Sequence, residues 1–120
     1  MSLPERAYGK IKVVSSGGVT TIALAYPERR NAIGPQMTNE LLWALGDASS
    51  DPETRVVVLT GEGKAFCAGG DFAAITAGEG SALPHKGDYS DLLLAMMRTE
   101  VPIVARVNGH AMGGGPGLVA

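Results

Sequence analysis

The sequence predicts an α/β fold, a mostly parallel sheet covered by helices, and three observations carry that reading. Residues 55–59 and 102–107 are short apolar runs with no polar alternation, the mark of buried strands. Each run feeds a Gly-rich loop and then a helical pattern, opened by Asp71 in one case and by Gly114 in the other. A further helical stretch lies between the two units, as expected when parallel strands are joined by crossover helices.

The elements follow in chain order. Residues 11–14 and 19–26 are β-rich runs around Ser15-Ser16-Gly17-Gly18, a hairpin signal. Residues 27–31 form a charged turn, and Asn31 or Gly34 then opens a helix. Met37, Leu41, Leu42, Leu45 and Ala48 fall on one face of it. Gly46 weakens its last turn, and residues 49–54 form a polar break. A short helix is expected over 71–76, a surface loop over 77–88, and a second amphipathic helix over 89–99 carrying Leu92, Leu93, Leu94, Met96 and Met97. The last helical pattern runs only from Gly114 to Ala120, which leaves Leu118-Val119-Ala120 without the rest of an apolar face. The chain therefore reads either as short in its own right or as part of a longer one.

A length of 120 residues suits one domain with a real core. The net charge of −2 and the scattered Lys and Arg give no footprint for nucleic acid or an anionic membrane surface. No apolar run approaches the roughly 18–20 residues that span a bilayer, and residues 1–10 lack the apolar region of a secretory signal. One cysteine favours a reducing compartment, so the expectation is a soluble cytoplasmic protein. The 17 glycines cluster mostly where elements end, where they serve tight turns and close approach to a ligand.

Two segments carry the chemistry. VVVLTGEGKAFCAGGDF, residues 56–72, places backbone N–H groups at a strand exit just ahead of a helix N-terminus. Such a place suits an anion, or an oxygen that becomes anionic during a reaction. PIVARVNGHAMGGGPGL, residues 102–118, is built alike, and two such loops read as a paired donor site. Around them, His110 is either a base or a satisfied packing residue, and His85 carries no signal. Cys67 reads as a buried small hydrophobe, and Asp71 as an acid or base or, more simply, a helix cap. Glu62 and Lys64 read as solvated charges, and Met96 and Met97 as core or pocket lining. No His, Cys, Asp and Glu have metal-ligand spacing, so no metal is expected. A nucleotide loop at Gly61-Glu62-Gly63-Lys64 fails, because Ala65 follows Lys64 and Val58 stands where the first glycine belongs. Gly115-Pro116-Gly117 through Ala120 fits a looser dinucleotide pattern, but it lies well past its strand, with no acidic ribose partner after it.

Four blocks, in order along the chain, resemble the crotonase, or enoyl-CoA hydratase/isomerase, superfamily. They are Ala25-Tyr26-Pro27-Glu28-Arg29-Arg30-Asn31-Ala32-Ile33; Val57-Val58-Leu59-Thr60-Gly61; Lys64-Ala65-Phe66-Cys67-Ala68-Gly69-Gly70-Asp71; and residues 102–115. The resemblance implies a spiral of ββα units, with residues 1–120 as the incomplete, amino-terminal part of a single domain. It implies an acyl-CoA thioester as ligand, with coenzyme A part of the substrate and no separate cofactor. The thioester oxygen would lie between the N–H groups of Gly70 and Gly114. Arg29 and Arg30 would lie near the CoA nucleotide, unless they are merely a solvated turn. Ala68, Gly69 and Asp71 would face the adenine and pantetheine. A homotrimer or hexamer is implied by the same likeness. One departure bears on chemistry: the first glutamate of the family's hydratases corresponds to Gly117, and the second lies beyond Ala120. Two-carboxylate hydration is therefore disfavoured, and isomerisation, thioester hydrolysis or dehalogenation would fit better. The rival is a truncated or noncatalytic relative that binds acyl-CoA without turnover.

Overall fold

The computed structural model describes residues 3–67, 69–70 and 83–111. The helix expected over 71–76, the first part of the loop expected over 77–88 and the helix expected from Gly114 lie outside them. Strand β1 (Ile11–Ser16) turns back into β2 (Val19–Leu24), paired antiparallel from Ile11 opposite Leu24 to Ser16 opposite Val19. Gly17 and Gly18 make the whole turn at φ 60° and 85°, the left-handed geometry of a two-residue hairpin loop. Ser15 and Ser16, expected in the turn, belong to the strand instead. The Ser15 hydroxyl lies 3.2 Å from that of Thr20 opposite, so its polarity is met across the ladder.

A single 3₁₀ turn, Pro27–Arg29, leads through Arg30 and Asn31 to helix α1 (Pro35–Ser50). Pro35 stands at its start, where a missing N–H costs nothing. Met37, Leu41, Leu42, Leu45 and Ala48 are all buried, the face that the spacing predicts. The helix passes through Gly46 and includes Ser49 and Ser50, the first two residues of the expected break. It stops at Asp51, whose carboxylate accepts the Glu53 N–H at 3.0 Å and the Thr54 hydroxyl at 2.8 Å. Those two bonds, the backbone one first, hold the Asp51 carboxyl below its ordinary range.

Strand β3 (Val56–Gly61) then lies parallel to β2, with Val19 opposite Val56 and Leu24 opposite Gly61. Helix α2 (Tyr89–Arg98) precedes β5 (Ile103–Ala105), which pairs parallel with β3 and gives the order β1-β2-β3-β5. Ile22, Leu24, Val57 and Leu59 from the sheet meet Met37, Leu41 and Leu45 from α1 and Leu92 from α2 in one core. Each such side chain contributes roughly 1.5–3 kcal/mol on burial.

Two expectations fail at the far end of the sheet. The run over 102–107 yields only three strand residues, and among the described residues they stand at the edge of the sheet rather than inside it, paired only with β3, with Val104 52% exposed. A short apolar run looks alike in both places, and only strand order separates them. Met97 is not part of the core, since it is 81% exposed, whereas Met96 packs against the core.

A second, smaller sheet grows from the loops. β4 (Ala65–Cys67) pairs parallel with β6 (His110–Ala111), and Ile33 forms a single parallel bridge with Gly70. β2, β3 and β5 are thus each followed by a turn and a short extended piece that pairs with the piece from another unit. Phe66 and Cys67, both fully buried, join this layer to the main core. Among the described residues, no helix is long and apolar enough to cross a membrane.

Candidate functional site

Gly70 lies at the exit of β4, where the predicted donor loop ends. The preceding residue, Gly69, is buried at φ 97°, a conformation that L side chains rarely adopt, and this swings the chain from the core to the exposed Gly70. The carbonyl of Gly69 accepts the Ile33 N–H at 2.6 Å, so the bond that closes the Ile33–Gly70 bridge runs through Gly69.

Gly70 opens on a cleft of about 420 Å³. Ile33, Pro35 and Thr38 form one wall at the head of α1. His85, Gly87, Asp88 and Tyr89 form the other at the head of α2. Both helices therefore turn their N-terminal ends toward the cleft, and the partial positive charge there favours an oxygen that gains negative charge. α2 is capped by Asp88, which accepts from the backbone of Asp91 while the Asp91 carboxylate accepts the Asp88 N–H at 2.9 Å. Burial pushes the Tyr89 phenol up.

Two asparagines hold the loop that carries Gly70, and the sequence offers neither of them for that role; Asn31, a candidate to open α1, leaves that place to Gly34. Asn31 is fully buried at φ 58°. Its carbonyl accepts the Tyr26 N–H at 2.8 Å, and its amide donates to Glu62 and Ala65 carbonyls at 2.9 Å each. From the other side, the Asn108 amide donates to Gly63 at 3.0 Å and Ala65 at 3.3 Å, and its carbonyl accepts the Gly61 N–H at 3.1 Å. The β3–β4 loop is fixed between two amides before it reaches Gly69 and Gly70. An Asn–Gly or Arg–Asn pair in a turn is common, so only the tertiary contacts disclose the clamp.

The remaining candidates are distributed as follows. Arg29 and Arg30 are exposed in the turn after β2, and neither lines the cleft. Ala68, Asp71 and Gly114 lie outside the described residues, as do Gly117 and the His110 side chain. Cys67 is buried, and burial pushes its thiol up, against the reactive thiolate form. Glu62 pairs with Lys12 at 2.9 Å on the surface. His85, set aside in the sequence as a loop residue, lines the cleft beside Asp88. Among the described residues, no three His, Cys, Asp or Glu side chains are placed to hold a metal ion.

A spiral of strand, turn, short strand and helix, with a glycine pair opening on a cleft at two helix ends, is a crotonase-type fold. Comparison with known proteins agrees. Residues 15–120 match the sequence profile of the family described as enoyl-CoA hydratase/isomerase, and the chain belongs to that family. It is 42% identical over 101 residues to a Mycobacterium tuberculosis protein named probable enoyl-CoA hydratase EchA14, covering 83% of this chain and 40% of that one. An Arthrobacter protein named 4-chlorobenzoyl coenzyme A dehalogenase-2 is 37% identical over 113 residues, covering 90% of this chain and 41% of the relative. The crystal structure of enoyl-CoA hydratase EchA8_6 from Mycobacterium marinum superposes with a TM-score of 0.80 at 31% identity, over 89% of this chain and 52% of that one. The chain thus spans about 40% of the length of the curated relatives it matches.

Proposed function

We propose that this chain is the amino-terminal, thioester-polarising part of a single crotonase-like domain that binds an acyl-CoA. The observation that carries this reading is Gly70, delivered by a left-handed Gly69 to the mouth of a cleft between two helix N-termini. In the reading, the N–H groups of Gly70 and Gly114 hold the thioester oxygen as it becomes an enolate. Ala68, Gly69 and Asp71 line the path of the pantetheine and adenine, and Arg29 and Arg30 meet the CoA phosphates, for which a guanidinium is a good fork. No cofactor beyond the CoA of the substrate is needed, and the protein works in the cytoplasm as a homotrimer or hexamer.

Gly117 in place of a carboxylate argues against hydration and for isomerisation, thioester hydrolysis or dehalogenation. The likeness to a protein named as a CoA-ester dehalogenase supports that breadth. The same Gly117 supports a second reading, a relative that binds acyl-CoA and performs no turnover.

Gly70→Pro and Gly114→Pro in the full-length chain test the donors, since proline has no N–H. Loss of one donor costs about 3–4 kcal/mol in the transition state, some 10²–10³ in kcat. Titration calorimetry with a panel of acyl-CoA thioesters should show little loss of binding in the same variants, and weaker binding when Arg29 and Arg30 are replaced by Ala. Near-normal turnover in either proline variant overturns the donor assignment. Binding without turnover in the unaltered protein selects the noncatalytic reading.

A further inference from the structure

His85 stands in the wall of the cleft that Gly70 enters, on a segment tied down on both sides of it. On one side the carbonyl of Pro84 accepts the buried Asn39 amide at 3.0 Å and the Trp43 indole N–H at 2.9 Å. On the other, the Lys86 N–H donates to the Asn39 carbonyl at 2.6 Å, and its ammonium sits 4.2 Å from the centre of the Trp43 ring. The backbone carrying His85 is therefore fixed to α1 by two side chains, while its side chain, in a residue that lines the cleft, is 74% exposed. Its Nε2 lies 3.8 Å from Asp88 Oδ1. A general acid or base must reach the proton it moves, and a fixed backbone at the cleft wall holds the imidazole within the same cleft as Gly70.

We propose that His85 is the proton-transfer residue of this cleft, acting on the α-carbon of a bound acyl-CoA thioester. The proposal rests on the acyl-CoA reading and supplies the acid–base group that Gly117 does not. An imidazole nitrogen forms a bond to the α-hydrogen as the Cα–H bond breaks. That electron pair forms the carbon–carbon double bond of the enolate, and the carbonyl pair moves to the thioester oxygen beside the Gly70 N–H. Return of the proton to the same carbon restores the thioester; return at the γ-carbon of a β,γ-enoyl group moves the double bond. Solvent reaches the exposed imidazole, so its proton exchanges with water between the two halves.

That exchange is the test. The full-length chain is incubated with butyryl-CoA in D₂O, and deuterium at the α-carbon is followed by NMR, with binding measured by calorimetry. His85→Gln should lower the exchange rate about 100-fold or more, the usual contribution of a positioned acid–base group, and leave the affinity for butyryl-CoA nearly unchanged. Added imidazole should restore part of the rate in His85→Ala, which a merely structural residue would not show. Unchanged exchange in His85→Gln with binding intact overturns the inference alone, as does binding without exchange in the unaltered protein. Absence of butyryl-CoA binding in the unaltered protein overturns the acyl-CoA reading for this ligand, and this inference with it.

Discussion

An asparagine side chain buried to full exclusion of water is tolerated only when both ends of its amide are met, and Asn31 meets them with three backbone groups from two separate segments. The left-handed backbone at φ 58° is also one that asparagine accepts more readily than most residues. Conformation and hydrogen bonding can be separated. Asn31→Gly keeps the backbone geometry at no steric cost and removes the amide, whereas Asn31→Asp keeps the shape but cannot donate to the Glu62 and Ala65 carbonyls when ionised. Both should destabilise the fold by about 2–4 kcal/mol, the cost of leaving buried backbone groups unmet. Urea unfolding measures it. A Gly variant as stable as the parent would mean that Asn31 is kept for its φ and not for its clamp. At this scale the sequence is least informative. The glycines of the donor loop announce themselves, but Asn31, Asn108 and His85 do not, because their roles depend on residues more than thirty positions away or on a cleft that exists only once the chain is folded.

At the scale of elements, α1 is the best-read part of the chain. Its apolar positions repeat at helical spacing because that face meets the sheet, so burial and periodicity carry the same information. Gly46 is the single discord, and the structure gives it no conformational task. It lies inside the helix on the side facing Lys86, where an added Cβ would come within 3.2 Å of the lysine Nζ. That neighbour is the far end of a long, flexible side chain and can move aside, at the expense of its contact with Trp43. Gly46→Ala should therefore stabilise the protein by about 0.5–1 kcal/mol, the difference in helix propensity, less whatever the Lys86–Trp43 contact contributes. A rise in Tm in a thermal melt checks this; a fall would mean that the Lys86 position is worth more than the propensity gained. The short strands β4 and β6 are the contrary case. At three and two residues inside Gly-rich loops they have no periodicity to read, and they form because the clamped loops bring their backbones side by side.

For the whole molecule, alternation of apolar strand runs and helices was enough to read the α/β class, the strands β1 to β3 and the helices α1 and α2, but not where β5 stands in the sheet. Strand order is a tertiary property, and a run such as Ile103-Val104-Ala105 is equally apolar at an edge and at a centre. The consequence is physical. Among the described residues β5 has a neighbour only in β3, Val104 on it is 52% exposed and Val107 just after it 48%, while Leu94 and Met97 on α2 are 44% and 81% exposed. An open strand edge that carries exposed apolar side chains such as Val104 is a template for pairing with another chain. Expressed as these 120 residues alone, the protein should associate with itself and elute in size-exclusion chromatography well above its 12.3 kDa. Val104→Lys puts a charge on the exposed face of that strand, the device by which natural edges are blunted, and should shift the elution toward the monomer with an unchanged far-UV circular dichroism spectrum. If the lysine variant associates as strongly as the parent, the contact lies elsewhere on the surface, and the hairpin edge at β1, where Val14 is 63% exposed, becomes the next strand to charge.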